Sequence, residues 1–125
     1  MRIDVHCHGW SEAYLARLQR DGYINSGMVN YIGAMGGLTT AADLEKRYAA
    51  MDAAGVELQV WSPAGMIAYP AEADKSAALA AFVNDTYAGF QNDLDRVASF
   101  ATLPVPHVDA ALAELARAFD TLHLA

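Results

Sequence analysis

Two histidines flank one cysteine near the amino terminus, in the run Ile3-Asp4-Val5-His6-Cys7-His8. Apolar Ile3, Val5 and Cys7 alternate with polar Asp4, His6 and His8, the period of a β-strand. Residues two apart on a strand point to one side, so the pattern predicts that Asp4, His6 and His8 share a face. Neutral imidazoles at His6 and His8 can each offer a nitrogen lone pair to one metal ion. By spacing alone, two unrelated histidines at a strand end fit as well. Asp4 lies one pleat deeper, about 7 Å back along the strand at ~3.3 Å per residue, and is expected to support rather than ligate. Cys7 faces the other way and reads as a small buried residue, not a nucleophile paired with a histidine. His107, after Pro104-Val105-Pro106, is the one further candidate ligand near a strand end, though a loop residue leading a helix fits it better.

These groups need a scaffold, and the rest of the chain reads as strands alternating with helices. Ser11 can cap a helix running to about Arg20, with Leu15 and Leu18 on one face. Residues 21–39 carry Gly22, Gly27, Gly33, Gly36 and Gly37 among Tyr23, Met28, Tyr31 and Met35. They read as a long loop with apolar anchors, the kind that often forms a lid or substrate wall. Thr40-Ala41-Ala42-Asp43 nearly matches a capping box, Leu44, Tyr48 and Met51 follow at helical spacing, and Gly55 is a natural stop. Val56–Ser62 reads as the second strand, ended by Pro63. A helix-rich stretch from about Ala71 to Leu94 carries Leu79, Phe82, Val83, Tyr87 and Phe90. Val97–Leu103 is the third strand. A last helix spans about Val108–Leu122, with Leu112, Leu115 and Phe119 expected inward. Such alternation predicts an α/β fold with one parallel sheet in sequence order and helices on its outer face.

Composition narrows the function. The chain has 125 residues and a net charge of −7. Only Lys46 and Arg47 are adjacent bases, so a nucleic-acid surface is not expected. No apolar run reaches the ~18 residues of a membrane helix, and Asp4 and His6 interrupt any signal-peptide core. The single cysteine excludes an intrachain disulfide and a Cys-rich zinc site, and fits a reducing cytoplasm. The glycines spell neither a phosphate loop nor a dinucleotide fingerprint.

Four further segments sharpen this. Ile3–His8 resembles the opening of metal-dependent barrels of the amidohydrolase superfamily. Met51-Asp52-Ala53-Ala54-Gly55-Val56-Glu57-Leu58-Gln59-Val60 resembles the second-unit motif of its amidohydrolase-related branch, which includes aminocarboxymuconate-semialdehyde decarboxylase. Asn84-Asp85, Arg96-Val97 with Phe100-Ala101-Thr102-Leu103-Pro104, and Asp109–Leu115 continue the likeness along nearly the whole chain. The resemblance implies the N-terminal part, about three βα units, of a (β/α)8 TIM-type barrel, whose eight units need ~250 residues. It implies one divalent metal, zinc, with His6 and His8 as ligands. It further implies a non-oxidative decarboxylase or hydrolase acting on a small carboxylated substrate. Trp10 could pack on a planar substrate. Arg47 could grip a carboxylate bidentately, or simply face solvent. The later ligands and the acid/base group belong to strands beyond Ala125. The expectation is therefore an N-terminal fragment of one barrel domain, inactive alone and prone to self-association. Two alternatives stand beside it: a small non-catalytic α/β module with structural histidines, and a deoxyribonuclease-like metal barrel, against which Met51–Val60 argues.

Overall fold

The computed structural model describes residues 1–63 and 68–125. Strand β1 (Ile3–Cys7) is followed by helices α1 (Glu12–Arg20), α2 (Ser26–Ala34) and α3 (Ala41–Ala54). Then come β2 (Leu58–Trp61), α4 (Ala73–Asp93), β3 (Val97–Ser99) and α5 (Val108–Asp120). The strands form one parallel sheet in the order β1-β2-β3, as the strand–helix alternation requires.

Helix ends follow local chemistry. The Ser11 and Thr40 side chains accept from the backbone N–H of Tyr14 and Asp43 at 3.1 and 3.2 Å. Gly55 closes α3 in the left-handed region, at φ 65°. The expected loop over 21–39 is corrected: it contains the helix Ser26–Ala34, capped by Asn25, whose Oδ1 accepts from Met28 N at 3.0 Å. Glycines at 27 and 33 weaken a helix by only about 1 kcal/mol each, and one buried contact outweighs that. Ile32 is 3% exposed, while the expected anchors Met28, Tyr31 and Met35 stand out at 38%, 60% and 61%.

The core lies between the sheet and the helices. Trp61 and Tyr87 are fully buried, with Tyr14, Leu15, Leu18, Leu79 and Val83 around them. Helix α5 overturns an expectation. Leu112, Leu115 and Phe119 are 61%, 38% and 58% exposed, and the buried positions are Glu114 and Ala118. A polar latch sets this rotation. Asn84 Nδ2 donates to Thr102 O (2.9 Å) and to Glu114 Oε1 (2.6 Å), and Asn84 Oδ1 accepts from Thr102 N at 2.8 Å. Arg117 binds the same Glu114 carboxylate at 2.8 and 2.9 Å. A buried carboxylate must be paired, so the latch fixes which side of α5 meets α4. Beyond α5, Ala125 N donates to Ser99 O (3.0 Å) and Ala101 N donates to Ala125 O (2.8 Å). Ala125 thus bonds along the free edge of β3 in the manner of a parallel strand.

Candidate metal centre

The site is built on the carboxyl end of β1. Asp4 pairs with Gln59 and Cys7 with Trp61, so two residues, Val5 and His6, stand opposite Val60 alone. This bulge breaks the alternation. Paired residues of a parallel ladder share a face, and Gln59 and Trp61 face the helices, where Arg47 of α3 meets both. Asp4 therefore lies on the helix side with Cys7, which corrects its expected place on the histidine face. Its Oδ1 accepts from His6 N at 3.1 Å, which closes the bulge. The neighbouring Cys7 thiol and this N–H hold the Asp4 carboxyl below its usual range. Cys7 is buried as expected, and burial pushes its thiol up to about 12.

His6 and His8 remain together. Their ring centroids are 5.2 Å apart at an interplanar angle of 70°. Two imidazoles on one tetrahedral ion, at metal–nitrogen bonds of about 2.1 Å, put their centroids about 5 Å apart, so the pair is compatible with a shared ion. His8 Nδ1 lies 3.0 Å from Ser62 O and 3.2 Å from Ser62 Oγ. A carbonyl only accepts, so Nδ1 of the neutral ring carries the proton and Nε2 keeps the lone pair. An outer partner that fixes a ring in this way is typical of ligating histidines. Among the described residues no group of three or more His, Cys, Asp and Glu side chains assembles to hold a metal ion. His107 sits at the head of α5 with Nε2 3.5 Å from Pro70 O, and is not brought into such a group.

Trp10 is 8% exposed, stacks on His8 at 5.8 Å and 26°, and its Nε1 has no partner among the described residues. Arg47 neither faces freely into solvent nor extends toward the histidine face. Nη2 donates to His8 O (2.8 Å), Nη1 to Gln59 Oε1 (3.2 Å), and the guanidinium lies 4.7 Å from the Trp61 ring centroid. Burial lowers its pKa from the usual arginine value. Cavities of about 260 and 210 Å³ flank Arg47 on the helix side, and His6 and His8 line neither. No signal in the sequence marked Ser62 as the partner of His8; the two are 54 positions apart and meet only through the β1–β2 pairing.

No protein-family profile and no curated relative matches the chain. Solved structures do. A 2,6-dihydroxybenzoate decarboxylase with 2,6-dihydroxybenzoate bound is 24% identical over 98% of this chain and 37% of its own, at a TM-score of 0.71. A dihydroxybenzoic acid decarboxylase from a Polaromonas species, with bound manganese and the inhibitor 2-nitroresorcinol, is 21% identical over 98% of this chain and 36% of its own, also at 0.71. A 5-carboxyvanillate decarboxylase from Novosphingobium aromaticivorans, with bound manganese, is 23% identical over 99% of this chain and 40% of its own, at 0.59. The chain thus spans little more than a third of their length, and shares its fold with that part of them.

Proposed function

We propose that this chain is the N-terminal part of a single metal-dependent (β/α)8 domain of the amidohydrolase superfamily. Its reaction is the non-oxidative decarboxylation of a small hydroxylated aromatic acid. The observation that carries this is the His6–His8 pair at the carboxyl end of β1, with the His8 tautomer set by Ser62. Parallel α/β folds place their ligands at that edge. Decarboxylase rather than hydrolase chemistry is favoured by neighbours that are decarboxylases of carboxylated aromatics.

In this reading His6 and His8 supply two nitrogen ligands to one divalent ion. Imidazole suits zinc, while two of the neighbours hold manganese, so the two ions compete in the test below. When bound, the ion orients the carboxylated substrate and polarises its oxygens. Trp10, 8% exposed, stacks on the His8 ring from within the core and so backs the ligand rather than facing a substrate. The remaining ligand and the group that delivers a proton to the ring belong to later strands of the barrel. A catalytic metal site needs three protein ligands and an open position, so the 125-residue chain alone binds its ion weakly and does not turn over.

Titration of the chain with zinc and manganese, beside His6→Ala and His8→Ala, tests the site. Weak binding lost in both variants supports it, and binding indifferent to both overturns it. Incubation with 2,6-dihydroxybenzoate and either metal should release no carbon dioxide. Metal-dependent release abolished by His6→Ala would show that the chain is an enzyme by itself.

A further inference from the structure

We infer that Arg47 and Tyr87 are positioning residues for His8, acting through consecutive main-chain oxygens. The inference rests on the reading of His8 as a metal ligand. The four carbonyls from Cys7 to Trp10 each accept from a different part of the molecule. Ser62 N donates to Cys7 O (3.0 Å), Arg47 Nη2 to His8 O (2.8 Å), Tyr87 Oη to Gly9 O (2.8 Å) and Thr39 N to Trp10 O (3.0 Å). Two of these donors are side chains, from α3 and α4, and they act on the ligand and on the residue after it.

The packing leaves this segment one path. A Cβ on Gly9 would stand 2.4 Å from the Trp61 ring, so the chain threads between that ring and the Tyr87 hydroxyl. Arg47 is an expensive way to hold a carbonyl. Its guanidinium is part-buried and forms no ion pair among the described residues, and its Nε has no partner there. Burial of a cation without a carboxylate costs stability. A leucine or methionine at this point would fill the layer beside Trp61 without that cost, but it could not donate to His8. What the arginine supplies is a charge-assisted bond that fixes the main chain from which His8 reaches Ser62.

The test uses the metal-free chain and the same chain with zinc. Long-range proton–nitrogen spectra of the imidazoles report the His8 tautomer, and competition with a chromophoric chelator reports zinc affinity. The wild type should show the Nδ1-protonated tautomer. Arg47→Met should mix the tautomers and weaken zinc about 10-fold, the low end of effects for groups that orient ligands. Arg47→Lys keeps a donor and should retain the tautomer and most of the affinity. Tyr87→Phe should shift both readouts in the same direction as Arg47→Met, by less. Wild-type tautomer in Arg47→Met overturns the inference whatever its affinity, and so does an Arg47→Lys variant as impaired as the methionine. Should Arg47→Met fail to fold, Tyr87→Phe decides, and no change in its tautomer or affinity overturns the inference. A wild type that binds no zinc removes the metal reading, while the tautomer comparison still judges the positioning roles.

Discussion

On its outer face the sheet presents Cys7, Gln59, Trp61, Val97 and Ser99 to the helices, all of them buried. On its inner face Ile3 and Val5 are 44% and 62% exposed, and His6 is exposed beside them. One backbone ladder carries both faces. The outer one is filled by aromatic rings, the edge-on contacts of Trp61 and Tyr87 with Phe90 at 5.7 and 5.2 Å among them. The inner one carries the candidate ligand His6 and, Val60 apart, is only partly covered among the described residues. Stability and the proposed chemistry are thus separated across a single sheet. The outer side donates to the main chain of His8 through Arg47, and His6 on the inner side is exposed.

The sharpest way to break this contrast is to truncate the outer side. Trp61→Ala should cost about 3–5 kcal/mol, the range for large buried aromatics, and urea unfolding should show little native chain left. A loss under 1 kcal/mol would mean that the outer face is not the core. Next comes the latch behind it. Asn84→Ala strands the Thr102 backbone and the Glu114 carboxylate, and should cost about 2–3 kcal/mol in the same measurement. A neutral result would place the register of α5 under some other control.

A third effect is smaller and depends on pH. Burial raises the Cys7 thiol to about 12, and raises the Tyr14 and Tyr87 hydroxyls as well. A folded-state pKa above the unfolded one stabilises below the unfolded value and loses that contribution as pH rises. Stability should therefore be level from neutral pH up to about pH 9, the ordinary thiol value, and decline above it. Cys7→Ala should flatten the first part of that decline; an unchanged curve would show that the thiol titrates freely when folded. Exposed apolar positions, on the inner face and on α5, should respond least. Val5→Thr and the paired change Leu112→Ser with Phe119→Ser should each alter stability by less than about 0.5 kcal/mol, as exposed sites do. The paired change should reduce self-association in sedimentation, because it removes an exposed apolar stripe. A wild-type chain that sediments as a stable, cooperative monomer would contradict that expectation.

Much of the scaffold was legible from local rules. Ser11 and Thr40 as caps, Gly55 as a stop and the order of strands and helices all follow from short-range sterics and hydrogen bonding. So does the segment likeness, and the structure shows why it runs the length of the chain. Met51 is core, Asp52 pairs with Arg96 at 2.6 Å, Asp85 with Arg117 at 2.6 Å, and Asn84 holds Thr102. Those motifs mostly build the scaffold; His6 and His8 alone carry the proposed chemistry.

Other features depended on groups far apart in the chain. Glycines at 27 and 33 read as loop, yet burial of Ile32 makes the segment helical. Leu112, Leu115 and Phe119 have the spacing of a buried stripe, yet a carboxylate 30 positions from its Asn84 partner turns α5 the other way. Sequence by itself determined that two imidazoles would stand near one strand end, because His6 and His8 are only two positions apart where the strand Ile3–Cys7 stops. Whether Asp4 joined them was decided by a bulge that exists only in the pairing of β1 with β2. Which nitrogen of His8 is free, and what holds its main chain, was decided by Ser62, Arg47 and Tyr87. Each of those contacts spans more than 35 residues of sequence, and only the closed packing of strands and helices brings its two ends within hydrogen-bond reach.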